Sequence, residues 1–273
     1  MGETSEMIDL HNHILSELDD GAKSMEESIQ MGRMSFQGGI RTVVATPHLL
    51  PGIYTNDRET ILSKVLELNH ALAQCGMQDG EFGTENADYK IPLESGCPFR
   101  ILPGADVHFT IDLPQLCENG EIVTVNDNGR FLMVEFDFQG IPYHAEQVLF
   151  QMIAKGIIPI ITHPERNFEI GQSPKRYHRM IQMGCLGQVT AMSLTGGFGS
   201  GVRRVAESLL KSRLVHIIAT DAHSMDRRPP TLSGSVRAAA KIIGEAEAIR
   251  MVTEYPQAVI EGRRPDIPDP ITT

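Results

Sequence analysis

Two histidines separated by a single residue lie near the start of the chain, in the stretch "DLHNHILSELDDG" at residues 9–21. Residues two apart on a β-strand point to the same face, so His11 and His13 can reach one metal ion. The same reasoning applies to Asp221 and His223 in "TDAH". A mixture of imidazole and carboxylate ligands suits zinc, manganese or iron better than calcium. The residue types and their spacing therefore predict metal binding.

Residues able to bind metal also follow most of the other apolar segments. His48 ends "TPH", Glu135 lies in "FLMVEF" and His163 lies in "THPER". Each has an ordinary explanation when taken alone, because a histidine at a strand end is usually just hydrogen-bonded and "DDG" is a common turn sequence. Charged groups are costly to bury unless they are paired or bound to metal, so their number favours a site for several ions. The nine candidate ligands are His11, His13, Asp20, His48, Asp106, Glu135, His163, Asp221 and His223.

The elements that must position these residues alternate between strands and helices. Seven apolar, β-branched runs predict strands, at 7–11, 41–46, 100–107, 131–136, 157–162, 187–192 and 214–220. Helical periodicity predicts helices at 24–39, 56–76, 173–184, 144–155, 201–212, 234–243 and 245–254. The second of these helices should bury Ile61, Val65, Leu68 and Leu72 on one face, and the third should have Ser173 as its cap with Pro174 at its first position.

Strand–helix alternation of this kind predicts an α/β fold with a parallel sheet, most simply a distorted (β/α)7 barrel of the TIM type. An open, doubly wound sheet is the alternative. In a parallel barrel the chemistry lies at the carboxyl ends of the strands, where the candidate ligands are found. We expect a single domain over 1–273, with a polar, glycine-rich surface insertion at 75–98.

Charge and hydropathy limit the classes of function. The formal net charge of −11 disfavours binding to nucleic acid, which rewards basic surfaces. No apolar run approaches the ~20 residues of a membrane span, and "MGETSE" at the start does not resemble a secretory signal, so we expect a cytoplasmic protein without membrane insertion. The four cysteines form no C-x-x-C motif, which disfavours a disulfide framework or a structural zinc site.

The proposed ligands would make the site locally positive in an acidic protein. Three divalent ions would bring six positive charges against the four carboxylates Asp20, Asp106, Glu135 and Asp221. An anion could then be attracted, and phosphate is the natural one.

These stretches resemble the PHP (polymerase and histidinol phosphatase) superfamily and, within it, the CpsB/YwqE-type protein-tyrosine phosphatases of bacterial exopolysaccharide operons. The resemblance covers nearly the whole chain. It rests on "MIDLHNHILSELDDGAKSMEES", "TPHLLPGIY", "VTAMSLTGGFG" and "ATDAHSMDRRPP". It implies a distorted seven-stranded PHP barrel with three divalent metal ions, expected to be Mn²⁺, with Fe and Zn as alternatives.

The resemblance also implies how the ligands are shared among the ions. The first ion would take His11, His13, Asp106 and Asp221, the second Asp106, Glu135 and His163, and the third Asp20, His48 and His223. Related proteins usually carry glutamate where this chain has Asp106. Aspartate is one methylene shorter, so whether Asp106 bridges two ions is an open question.

The implied activity is hydrolysis of phosphotyrosine in proteins by a hydroxide that bridges two ions. Arg166 and Arg228 are predicted to hold the phosphate, because the planar guanidinium binds its oxygens in pairs. The expected partner is the tyrosine-rich tail of a bacterial tyrosine autokinase, bound at an open rim formed by 49–56 and 224–232. The resemblance leaves the oligomeric state open.

Other functions remain open at this point. The same ions could serve a phosphatase for a small metabolite such as histidinol phosphate, a PHP nuclease, or a docking module without catalysis. A cysteine-based phosphatase is excluded, because it needs an arginine six residues after its cysteine. The residues at that distance here are Glu81, Pro103, Val123 and Ala191.

Overall fold

The computed structural model describes residues 6–75 and 99–271. Apart from Cys75, the predicted insertion at 75–98 lies outside the described residues. The strands are β1 (Met7–Asn12), β2 (Ile40–Ala45), β3 (His48–Leu50), β4 (Tyr54–Thr55), β5 (Arg100–Pro103), β6 (Asp106–His108), β7 (Phe131–Glu135), β8 (Ile158–Thr162), β9 (Leu186–Thr190) and β10 (Ile217–Ala219). The α-helices are α1 (Met25–Gln37), α2 (Arg58–Gln74), α3 (Leu113–Glu118), α4 (Ala145–Ala154), α5 (Phe168–Gln172), α6 (Lys175–Met183), α7 (Ala191–Thr195), α8 (Gly199–Lys211), α9 (Ser233–Ile243), α10 (Glu245–Arg250) and α11 (Glu254–Ile260).

The strands pair almost entirely in parallel, which confirms the predicted α/β class. One sheet has the order β1-β2-β5, and the other has the order β10-β9-β8-β7-β6-β3-β4. Only the short β3–β4 hairpin is antiparallel among the strand pairs of the described residues. A parallel bridge between Asn12 and Ala222 joins the end of β1 to the segment after β10.

The predicted boundaries of three strands were wrong. The run 100–107 divides into β5 and β6, which belong to different sheets, and β2 is likewise separated from β3 by Thr46 and Pro47. Pro47 and Pro103 have no N–H group, so a sheet ladder is readily interrupted beside them. The run 187–192 stops at Thr190, where α7 begins, and the run 214–220 forms a strand only over Ile217–Ala219.

The predicted apolar faces of the helices are largely confirmed. In α1 the Ser24 hydroxyl accepts from the Glu27 N–H at 3.3 Å, as the capping pattern predicts. The predicted stripe of α2 is buried, at Ile61, Val65, Leu68 and Leu72. The predicted cap of α6 was wrong: Ser173 closes the preceding α5 by donating its N–H to Glu169, and α6 starts at Lys175.

Buried apolar side chains form two clusters. The larger one packs the helices against the strands. The smaller one is drawn mainly from the strands themselves, with its members contributed by β1, β2, β5, β7, β8, β9 and β10; they include Leu10, Val44, Leu102, Met133, Ile160, Leu186 and Ile217. No helix in the described ranges is both long and apolar enough to span a bilayer.

Gly187 in β9 allows a close approach that a larger residue would prevent. A Cβ atom there would lie 2.1 Å from the Tyr177 hydroxyl and 2.5 Å from the Leu214 carbonyl oxygen. The buried Tyr177 donates to that same carbonyl at 2.9 Å. We expect Gly187→Ala to lower the free energy of unfolding by about 3 kcal/mol, because both neighbours must shift. Urea denaturation of the purified proteins measures this.

The matched control is Gly201→Ala on α8. A Cβ atom there meets nothing within 4 Å, and its backbone is helical. Alanine should therefore stabilise the protein by ~0.5–1 kcal/mol. Equal effects of the two substitutions would contradict the role given to Gly187.

Candidate metal centre

The structure brings all nine predicted ligands together at one end of the strands. Most lie at or just after the carboxyl end of a strand or in the loop that follows it, while His48 and Asp106 lie at the start of the short strands that follow β2 and β5. His11 is in β1 with His13 just beyond it, His48 begins β3, Asp106 begins β6, Glu135 ends β7, His163 follows β8, and Asp221 and His223 follow β10. Asp20 reaches the site from the loop after β1, 3.7 Å from His48 and 3.4 Å from His223. The convergence predicted from the sequence is therefore present.

Three groups of side chains have the spacing that a metal ion requires. They are His13, Asp20, His48 and His223; His11, His13 and Asp106; and His48, Asp106 and Glu135, and within each group the ligand atoms lie within 4.8 Å of one another. These groups overlap the three ligand sets implied by the family resemblance without being identical to them. His163 adds to the third group, with its Nε2 3.2 Å from Glu135 Oε1.

The contacts between these atoms suit shared ions better than direct bonds. The Nε2 atoms of His11 and His13 face each other at 3.1 Å, and both lie 3.4 Å from Asp221 Oδ1. Two ligand atoms that share one ion at bond lengths near 2.1 Å are roughly 3.0–3.5 Å apart. The buried Asp106 Oδ2 has no hydrogen-bond partner among residues 6–75 and 99–271, although ring nitrogens of His11 and His48 lie 3.5 Å away. A divalent ion would satisfy all of these atoms.

Hydrogen bonds on the far side of the rings determine which nitrogen faces the centre. His11 Nδ1 donates to Gln188 Oε1 at 2.9 Å, and His13 Nδ1 donates to Asp19 Oδ2 at 2.6 Å. Both Nε2 atoms are thereby directed inward, an arrangement that orients histidine ligands in metal sites. Asp106 is held in a similar way, since Thr162 Oγ1 donates to its Oδ1 at 3.2 Å.

The loop "DDG" gives its two aspartates different tasks. Asp19 is buried and accepts from the backbone N–H groups of Gly21 at 2.8 Å and His48 at 2.9 Å, as well as from His13. Asp20 instead faces His48 and His223. Gly21 permits the turn, because a Cβ atom there would lie 2.1 Å from the His13 carbonyl oxygen.

Two ligand positions have unusual backbone conformations. His163 has φ of 34° and Asp221 has φ of 52°, in the left-handed region that residues with side chains rarely adopt. Both come immediately after or close to the end of a strand that leads into the centre. Backbone strain of this kind concentrates at functional sites, where the surrounding structure holds it in place.

The charges of the site favour metal binding at higher pH. Burial and the charge of Glu135 raise the pKa of Asp106 well above its usual range. Burial alone would lower the pKa of His13, but the charge and hydrogen bond of Asp19 raise it to about 10. A metal ion must displace the protons of these groups, so its affinity should rise with pH.

Two arginines complete the rim of the site. Arg166 donates to Asp221 Oδ2 at 2.8 Å, and Arg228 forms an ion pair with the same oxygen. The Cζ atoms of Arg166 and Arg228 lie 4.8 Å and 5.8 Å from the ring centroid of Phe198. Both predicted phosphate-binding residues are therefore beside the candidate ligands, with their guanidinium groups facing the centre.

The hydrogen-bonding residues behind the ligands were missed by sequence reasoning. Asp19, Gln188 and Thr162 were not predicted to take part, although Asp19 was noted as one of the acidic pair. A signal was present for Gln188 and Thr162: each is a polar residue in a strand that is fully buried and mostly apolar. Such residues are expected to need a buried hydrogen-bond partner.

We expect Asp19→Asn to lower the affinity for metal 10- to 100-fold while leaving the fold intact. Asparagine keeps the size of the side chain but loses the charge that holds the His13 ring. Calorimetric titration of the metal-free protein with Mn²⁺ measures the change. Asp226→Asn, at an exposed position in the loop after β10, is the control and should bind as the wild type does. Equal affinity of the two variants would show that Asp19 has no such role.

Comparisons with known proteins agree with this geometry. A family model described as capsular polysaccharide synthesis, CpsB/CapC, matches residues 7–82 and 89–261. The chain is 32% identical over 222 residues to the tyrosine-protein phosphatase YwqE of Bacillus subtilis (strain 168), covering 81% of this chain and 79% of that protein.

Solved structures give the same relationship. One match belongs to the crystal structures of YwqE from Bacillus subtilis and CpsB from Streptococcus pneumoniae, described as unique metal-dependent tyrosine phosphatases. It has a TM-score of 0.85 and 29% identity, and covers 98% of this chain and 99% of that one. The histidinol phosphate phosphatase of Lactococcus lactis subsp. lactis Il1403 is similar in fold alone, with a TM-score of 0.55 at 11% identity over 88% of this chain and 94% of that one.

Proposed function

The chain belongs to the CpsB/CapC family of capsular polysaccharide synthesis, and we propose that it is a metal-dependent phosphatase acting on phosphotyrosine in proteins. The observation that carries this proposal is the convergence of nine metal-ligand side chains and two arginines on one small volume. Relatives that match 81% and 93% of this chain are named tyrosine-protein phosphatases.

We infer that the site holds three divalent ions, with Mn²⁺ as the expected metal and Fe or Zn as alternatives. The three groups of candidate ligands support this number, and Asp106, which belongs to two of them, is a carboxylate that two ions could share. When bound, such ions lower the pKa of coordinated water and neutralise phosphate charge. Asp106 is suitably placed to bridge, since its Oδ2 lies 3.5 Å from both His11 Nε2 and His48 Nδ1 despite the shorter side chain.

The protein side chains bind and orient the phosphate. Arg166 and Arg228 reach Asp221 from the rim, and either guanidinium can turn to hold two non-bridging oxygens of a phosphate. Charge that builds on those oxygens during P–O cleavage is thereby stabilised. The leaving phenol has a pKa of ~10, so it departs more readily than an alkoxide and needs no strong general acid.

We infer that the strands close into a distorted seven-stranded barrel. The two sheets supply seven parallel strand positions if β2 with β3, and β5 with β6, each count as one interrupted strand and the short antiparallel β4 is left out. The bridge between Asn12 and Ala222 lies where the ring would close. The smaller apolar cluster, drawn mainly from seven strands, has the composition expected of a barrel interior.

The expected protein substrate is the tyrosine-rich tail of a bacterial tyrosine autokinase. The opening beside the site supports a chain-like substrate: residues of 49–59 and 107–122 line a cavity of about 740 Å³ next to His48. Tyr54 on this side stacks against His48, with ring centroids 5.8 Å apart and an angle of 15° between the planes.

The test is hydrolysis of a phosphotyrosine peptide compared with histidinol phosphate and single-stranded DNA, using protein loaded with Mn²⁺. We expect clear preference for the peptide, and loss of both bound metal and activity in His11→Ala. Preferred turnover of histidinol phosphate, degradation of DNA, or full activity in His11→Ala would overturn the proposal.

A further inference from the structure

A half-exposed phenylalanine with no role assigned so far lies beside the candidate ligand His163 and beside Arg166. Phe138, three residues after β7, is 47% exposed. Its ring centroid lies 5.8 Å from the ring of His163, and the Cζ atom of Arg166 lies 4.7 Å from it. Single exposed apolar residues are ordinary on protein surfaces, so the exposure alone indicates nothing. Its position next to both a candidate ligand and a predicted phosphate-binding residue does indicate a role.

The backbone on either side of the Phe138 ring is held by two hydrogen bonds. Asn167 donates its side-chain amide to the carbonyl oxygen of Asp137 at 2.7 Å, and the N–H of Phe168 donates to the carbonyl oxygen of Phe138 at 2.7 Å. These bonds attach residues 137–138 to the segment that carries His163 and Arg166. The backbone that carries the Phe138 ring is therefore tied to the segment that carries His163 and Arg166.

We propose that Phe138 is a specificity-determining residue that stacks against the aromatic ring of the substrate, an inference that rests on the proposed function. In phosphotyrosine a single oxygen separates phosphorus from the ring. A phosphate held between the metal ligands and Arg166 thus carries its ring to the rim where Phe138 stands. Aromatic rings whose centroids lie 4.5–7 Å apart attract each other in stacked or edge-to-face arrangements. A serine or threonine phosphate has no ring to place there.

A purely supporting role for Phe138 makes a different prediction. Arg166 lies between Phe138 and Phe198, at 4.7 Å and 4.8 Å from their centroids, so Phe138 also helps to position its guanidinium. If that were its only task, removing the ring would weaken binding of every phosphate-like ligand equally. If Phe138 instead contacts the substrate ring, removing its side chain weakens the binding only of ligands that carry a ring.

The experiment measures binding of two phosphonates to Mn²⁺-loaded protein by calorimetry. Benzylphosphonate mimics the phenyl ester with a methylene in place of the ester oxygen, and methylphosphonate lacks the ring. We expect Phe138→Ala to raise the Kd for benzylphosphonate about tenfold and that for methylphosphonate less than about twofold. Phe138→Tyr should restore the wild-type ratio. Phe168→Ala, at a phenylalanine that is 63% exposed on α5, is the control and should change neither Kd.

In kinetic measurements we expect Phe138→Ala to lower kcat/KM for a phosphotyrosine peptide roughly tenfold, mainly because KM rises. An equal loss for both phosphonates would reduce Phe138 to a support for Arg166, and no loss for either would remove it from substrate binding. Both results would overturn the proposal. Failure of the proposed function would look different, because the loaded wild-type protein would then not hydrolyse the peptide at all.

Discussion

Asp106→Asn is expected to abolish most of the activity and to reduce the metal content of the purified protein. Asp106 contributes to two of the three ligand groups, is fully buried, and directs an oxygen without a hydrogen-bond partner in the described ranges toward the histidines. Asparagine has nearly the same shape but no charge, so two ions would lose a shared anionic ligand. Metal ions contribute several kcal/mol to transition-state stabilisation, so we expect about a thousandfold loss in kcat/KM.

The measurement pairs metal analysis with hydrolysis of a phosphotyrosine peptide. Asp269→Asn, at an exposed position near the end of the described residues and outside the cavity beside His48, is the matched control. Circular dichroism should report the same fold for both variants. Asp106→Glu, which keeps the charge on a side chain one methylene longer, should keep metal and a substantial part of the activity. Wild-type metal content and rate in Asp106→Asn would refute the central role given to this carboxylate.

Arg228→Ala should lower kcat/KM for the phosphotyrosine peptide by about 10²- to 10³-fold, the cost of removing one donor from a developing oxyanion. Arg228 is mostly buried, pairs with Asp221, and is held at its backbone carbonyl by the N–H groups of His223 and Ser224. Arg228→Lys should recover only part of the loss, because an ammonium group cannot bind two phosphate oxygens in one plane.

The neighbouring Arg227 is the natural control for this prediction. It is exposed, and its N–H interacts with Ser224 and Asp226 at the surface. Arg227→Ala should therefore retain activity within about threefold of the wild type, as most surface substitutions do. Metal content should be unchanged in both arginine variants. A larger loss in Arg227→Ala than in Arg228→Ala would mean that the phosphate is held by the other guanidinium.

Much of the site could be predicted because its signals are local. Two such signals are a histidine two residues from another on a strand and an acid or histidine at the end of most of the apolar runs. Both depend only on strand geometry and on the rule that parallel strands present their carboxyl ends together. His11, His48 and His163 were placed in this way. The family resemblance then suggested how the ligands divide, and the structure groups His48 with Asp106 and Glu135 as well as with Asp20.

The parts that escaped prediction depend on contacts distant in sequence. Nothing in the chain near Gln188 reveals that its amide meets His11, 177 residues away. The run 100–107 divides into two strands because its halves have different neighbours: β5 pairs with β2, whereas β6 pairs with β3 and β7. Likewise, the different tasks of Asp19 and Asp20 follow from the turn at Gly21, which fixes the direction of each carboxylate.

The bridge between Asn12 and Ala222 has a consequence for biosynthesis. Candidate ligands His11 and His13 leave the ribosome before Asp221 and His223, which follow them by about 210 residues. A nascent chain therefore has no complete centre, and prematurely terminated products should be inert. An ion held by ligands from both segments would join β1 to the segment after β10, two parts of the chain that lie far apart in sequence.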